Sequence, residues 1–229
     1  DNGSSVYVSN GELILQSGAT INDSSLDFTS STFKPSGAVS LTGNSAFNLN
    51  ETSSVKLEGE TTFTQSGTVY WPSIDLNAST LTLEVTEMYC CLHQPGGLVI
   101  STGESIKLGT SNFSVDNPLK INSGGTLSSG SGAVTINGAL TLDGELRQGS
   151  GILNLIGGGT VGSTGRLDVS NSELKLGSAL SFAGTLVVDN GTTWSGLGGT
   201  VDLSAGTLES SGGTLNLDKF TTGTNTAFK

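Results

Sequence analysis

Residues 167–189 read LDVSNSELKLGSALSFAGTLVVD, and their spacing decides the fold. The apolar residues fall in pairs one residue apart: Leu167/Val169, Leu174/Leu176, Leu180/Phe182 and Leu186/Val188. Successive side chains of a strand point to opposite faces, so each pair marks a very short strand with one face inward. Between the pairs stand Gly, Ser, Asn, Asp and other small or polar residues. Gly permits positive φ, and Asn, Asp and Ser hydrogen-bond their own backbone, so each gap reads as a corner.

The pattern runs outward in both directions. Apolar teeth begin at Val134, Leu140, Leu146, Leu153, Val161, Leu167, Leu174, Leu180, Leu186, Trp194, Val201, Leu208 and Leu215. Earlier in the chain, Val6, Leu13, Ile21, Leu26, Phe33, Val39, Phe47, Val55, Phe63 and Val69 keep a looser version. The step is about seven residues, and three steps make a unit of about twenty. No window carries the i, i+3, i+4, i+7 pattern of a surface helix. A sandwich or barrel needs longer strands at wider spacing. The expected fold is all-β: a parallel β-solenoid with three short strands per coil. One coil buries too little to offset the entropy of ordering it, so coils must stack. About eleven coils at ~4.8 Å per step predict a rod of about 50 Å. Residues 1–229 read as a single solenoid, with an irregular insertion near 86–97 and a cap or linker at 218–229.

Composition agrees. Of 229 residues, 34% are hydrophobic and 6% aromatic, and 34 are Gly. Charged residues are only 13%, whereas disordered chains of low hydrophobicity usually carry high charge. The net charge is −11 and the nine Lys and Arg are scattered, which argues against a nucleic-acid partner. No apolar run reaches membrane-spanning length. The opening DNGSSVYVSNG is already patterned and reads as a mature product or a fragment rather than a signal peptide.

The units GALTLDGELRQGSGILNLIGGGTVGSTGRLDV and GGTVDLSAGTLESSGGTLNLD resemble bacterial surface β-solenoids. The resemblance is to the autotransporter passenger regions and the filamentous haemagglutinin class of adhesins. It covers most of the chain as a match of period and composition. It implies export to the extracellular space or cell surface and a scaffold or adhesive role. The implied partners are a host-cell or matrix receptor, glycan or protein, or end-to-end self-association.

The stretch LEVTEMYCCLHQPGGLVI (83–100) interrupts the pattern. It holds the only Met, the only His and both cysteines. The plain reading is a loop bulging from the solenoid, and loops on rigid scaffolds often carry binding function. Cys90, Cys91 and His93 are soft metal ligands, but structural zinc wants four ligands and no second cluster exists, so no metal is expected. The adjacent cysteines are redox candidates: a disulfide with each other in an oxidising compartment, or a bond to another chain. In an extended segment they would face opposite sides, one buried and one accessible. Tyr70 and Trp71, side by side in an aromatic-poor chain, are candidate sugar-stacking residues; alternatively Trp71 fills a wide coil. Trp194, at a tooth position, reads as core. Sequons at Asn2, Asn22, Asn50, Asn77, Asn112 and Asn190 permit N-glycosylation in a secreted eukaryotic setting.

β-Solenoids can host polysaccharide lyases and hydrolases, which need clustered carboxylates on one face. Asp143, Glu145 and Arg147 in LDGELRQ form one such local group; the plain reading is a solvated strand face. GGGTVG (157–162) lacks the Lys and helix of a phosphate loop. No cofactor or catalysis is expected. The sequence reading is therefore a structural or adhesive module, with a carbohydrate-active β-helix protein as the alternative.

Overall fold

The one-apart pairs become strands of a few residues with their apolar members inward. In Glu173–Leu176, Leu174 and Leu176 are buried while Glu173 and Lys175 stay partly in solvent. The structure is a computed structural model and describes residues 5–94, 96–189, 191–195, 198–212, 220–223 and 227–228. It is a parallel β-solenoid of about 10 turns, each of about 21 residues.

From Leu98 to Ser210 the coils lay one strand on each of three faces in turn. On the first face Phe113, Val134, Leu153, Leu174 and Trp194 succeed one another in register. The second carries Leu98, Leu119, Leu140, Gly159, Leu180, Val201 and Phe220. The third carries Leu81, Ile106, Leu127, Leu146, Leu167, Leu186, Leu208 and Phe228. On the third face, stacking like on like closes the core above and below each of Ile106, Leu127, Leu146, Leu167 and Leu186. Each fully buried Leu, Ile or Val contributes about 1.5–3 kcal/mol. Corners must be thin for coils to approach: a Cβ on Gly165 would collide with the Leu142 carbonyl of the coil before.

The early turns are filled differently. Phe28, Phe33, Phe47, Phe63 and Trp71 form one buried aromatic cluster, with centroids 5.0–6.3 Å apart. Such tilted and edge contacts add about 0.5–1.5 kcal/mol each beyond burial. Here two strands, Thr61–Trp71 and Thr80–Cys90, run unbroken from the third face onto the first. They pair along their length through a bulge, with the register shifting between Val85 and Glu87. Ladder positions lost at these turns are filled by side chains. The Val85 N–H donates to Ser111 Oγ, which itself donates to the Leu83 carbonyl (3.1 Å each). On the second face the Gln94 carboxamide accepts from Ile74 N–H (3.1 Å) and donates to Ile74 C=O (3.3 Å), as a strand would.

The irregular insertion expected near 86–97 is narrower than that. Residues 86–90 belong to the strand Thr80–Cys90, which pairs with Thr61–Trp71 and Asn112–Val115. Only 91–94 and 96–97, among the described residues, lie outside strands, standing where the shorter corners 116–118 and 137–139 stand in the next coils. Most of the stretch expected to be a cap or linker, 218–229, lies outside the described residues. Its described parts, Phe220–Thr221 and Ala227–Phe228, continue the second and third faces.

Candidate functional site

The two long strands carry matching segments. TVYW (68–71) and EMYC (87–90) lie in register, so Tyr70 pairs with Tyr89 and Trp71 with Cys90. Alternation then sends both tyrosines outward and Trp71 and Cys90 inward. The tyrosine rings stack, with centroids 5.1 Å apart and planes 8° from parallel. Tyr70 is 63% exposed. Trp71 is 1% exposed, packed edge-on against Phe63, so it fills the coil and offers no open face for stacking. The Trp71 indole N–H is buried without a hydrogen-bond partner.

Cys90 and Cys91 are joined to each other as a disulfide, and both are buried. Of the two pairings considered the structure has the one within the chain, and the one-buried, one-accessible arrangement expected of an extended segment does not arise. The chain leaves the extended state between them: Cys91 has φ +73°, so the two side chains no longer diverge. The loop that follows is held from the next coil by Asn117, whose Nδ2 donates to the carbonyls of Cys91 and Leu92 (2.8 Å each).

Together these elements enclose a cleft of about 220 Å³. Leu49, Trp71, Pro72 and Cys90 make its apolar floor, and Tyr70, Tyr89 and the 58% exposed Leu92 stand around it. Its polar groups are Glu51, His93 and Asp116, with His93 Nε2 3.8 Å from Glu51 Oε1. The Tyr89 phenol is held above its ordinary pKa, first by its hydrogen bond to the Glu87 carboxylate, then by burial and by the charge of Glu87. No family model, curated protein or solved structure matches the chain.

A second, wider groove of about 890 Å³ follows the bulge, lined by Thr64, Gln65, Glu84, Thr86, Thr110 and Asn112 among others. The Gln65 Oε1 is buried there without a partner. Among the sequons, Asn22, Asn50, Asn77 and Asn112 are exposed, while Asn2 and Asn190 lie outside the described residues. The Asn77 Nδ2, the atom that would carry a glycan, donates to the Leu57 carbonyl (2.9 Å).

Glu145 and Arg147 are tied into a surface charge ladder. Arg147 Nε donates to Glu145 Oε1 (2.7 Å), Arg166 approaches the same oxygen at 3.7 Å, and Arg166 also reaches Glu209 at 2.8 Å. The ladder spans coils on the third face, a stabilising arrangement of strand partners. Trp194 packs half-buried against the core. Among the described residues no three His, Cys, Asp or Glu side chains gather as metal ligands. No helix there is long and apolar enough to cross a membrane.

Of the residues singled out in the sequence, the structure brings Tyr70, Trp71, Cys90 and His93 to one place. It adds Tyr89, Leu92, Glu51 and Asp116. Tyr89 was legible: it stands one turn after Tyr70 in a matching four-residue segment. Glu51 and Asp116 sit in ordinary corners with no local signal.

Proposed function

We propose that this chain is an extracellular structural or adhesive module: a rigid rod that holds side chains at fixed spacing for contact with a surface, without catalysis. The observation that carries this reading is the unbroken column of buried side chains from Leu26 to Leu208. A stack whose every rung packs on the next resists bending, which suits a stalk or a display surface. The Cys90–Cys91 disulfide adds support, since disulfides persist in oxidising compartments. The strand Ser5–Ser9 pairs on one edge only among the described residues, and Tyr7 within it is 78% exposed. End-to-end association, strand edge to strand edge, belongs to the same reading wherever such an edge is left uncovered.

The test is shape plus adhesion. Small-angle scattering of the purified chain should give a rod about 50 Å long, or a linear multiple of it. Surfaces coated with cells or matrix should retain the labelled chain above an albumin control. A sphere-like scattering profile, or retention no greater than albumin on every surface, defeats the reading.

A further inference from the structure

We propose that the cleft beside Tyr70 and Tyr89 holds one pyranose unit of a glycan that carries no negative charge. The proposal rests on the adhesive reading above and names the chemical class of its receptor.

Size comes first. Pockets for drug-sized ligands run to about 300–1,000 Å³, so a cleft of about 220 Å³ suits something smaller, such as a single ring. Shape and polarity follow. A pyranose has an apolar C–H face and a rim of hydroxyls. Tyr70 presents one aromatic face to its stacked neighbour Tyr89, and most of its surface remains in solvent. The ring is held upright by that stacking, so it loses little freedom when a sugar packs on it. The exposed Leu92 and the half-buried Leu49 extend the surface that would cover the C–H face.

The hydroxyl rim needs donors and acceptors. Glu51 and Asp116 are acceptors, and His93 serves as either. Charge sets the final limit. The lining contains carboxylates and no Lys or Arg, and Glu87 stands on the Tyr89 hydroxyl. A uronate or sialate carboxylate would meet like charge there, whereas a neutral or amine-bearing sugar would not.

The experiment titrates the full chain with methyl glycosides of neutral hexoses, an N-acetylhexosamine, an amine-bearing hexosamine and a uronic acid, read by aromatic fluorescence and by NMR shifts. At least one uncharged or amine-bearing glycoside should saturate below ~10 mM. Tyr70→Ala, at an exposed position, should weaken it at least about tenfold, equivalent to ~1.4 kcal/mol. Tyr70→Phe should bind as the parent does. Preference for the uronic acid, no saturation by any glycoside, or undiminished binding by Tyr70→Ala overturns the proposal. Surface adhesion that survives glycosidase treatment overturns the sugar assignment while leaving the adhesive rod intact. Adhesion to no surface, with a glycoside still bound, does the reverse.

Discussion

Two stretches of the same rod solve the same problem differently. From Ser105 to Val188 the coils repeat closely: short strands, thin glycine corners, and Leu, Ile or Val stacked on its like. From Thr61 to Ile100 the coils depart from the rule: two long strands cross a corner, a bulge shifts their register, and a longer loop enters the second face. Each departure strands backbone groups, and each is sealed by one polar side chain: Ser111 at Leu83 and Val85, Gln94 at Ile74, Asn117 at Cys91 and Leu92. The irregular stretch is also where Tyr70 and Tyr89 stack and the cleft opens. A solenoid tolerates a cleft only where something replaces the ladder interrupted to make it.

The sharpest way to break the contrast is to remove a core residue from each side. Trp71→Ala should cost about 3–5 kcal/mol and Leu153→Ala about 2–5 kcal/mol. In a stack of nearest-neighbour units the damage should stay local. Hydrogen exchange should therefore show Trp71→Ala opening the coils around 61–90 first, and Leu153→Ala those around 134–176. Uniform loss of protection in both variants would mean the rod melts as one unit and the two stretches are not separable.

Next come the sealing side chains. Gln94→Ala and Ser111→Ala each leave backbone groups unpaired in the irregular stretch and should cost about 1–3 kcal/mol. Asn154→Ala in the regular stretch removes only a side-chain bond to Thr135 (3.0 Å) and should cost less in urea unfolding. Equal costs would show that the ladder gaps are filled by water as well as by protein. Smaller again is the disulfide. A bridge between adjacent residues closes the shortest chain loop, so Cys90→Ser/Cys91→Ser should lose about 1 kcal/mol from loop entropy. A several-fold larger loss would assign the disulfide a packing role beneath Trp71.

The smallest effects are in pH, and they run in opposite directions. At the end of the regular stretch Asp189 is held below its ordinary pKa, first by the Asn171 backbone N–H, with Gly191 and Thr192 adding bonds. Its folded pKa lies below the unfolded value. Its contribution is thus present above the ordinary carboxylate pKa and lost as pH falls through the folded one. Asp189→Asn should flatten the acid limb of the Tm profile. In the irregular stretch Tyr89 is held above its ordinary pKa, with the Glu87 hydrogen bond the leading cause. Its contribution is present below the ordinary phenol pKa and lost as pH rises through the folded one. Tyr89→Phe should flatten the alkaline limb and leave the acid limb alone. A change in the wrong limb for either variant would refute the assigned cause.

The regular stretch was readable because its code is local. Leu167/Val169 and Leu174/Leu176 each state an inward face, and a constant step states the turn. The irregular stretch was half readable. Its position showed in the crowding of Met88, Cys90, Cys91 and His93, but its inner boundary did not. Thr80–Cys90 alternates like any strand, and nothing in it announces that the usual corner is skipped. Tyr70 and Trp71 stood as a stacking pair beside the reading that Trp71 fills the coil, because which of two adjacent strand residues faces inward is settled only once register is known.

By itself, the sequence determined that this chain winds into stacked three-stranded coils, because side-chain alternation and corner chemistry act over a few residues. Tertiary structure alone decided that Glu51, Tyr70, Tyr89, His93 and Asp116 share a cleft, that both cysteines are buried beneath it, and that the Trp71 N–H has no partner. Those facts depend on which coil stands beside which corner, and a polar residue in a corner carries no record of its neighbours until the stack is built.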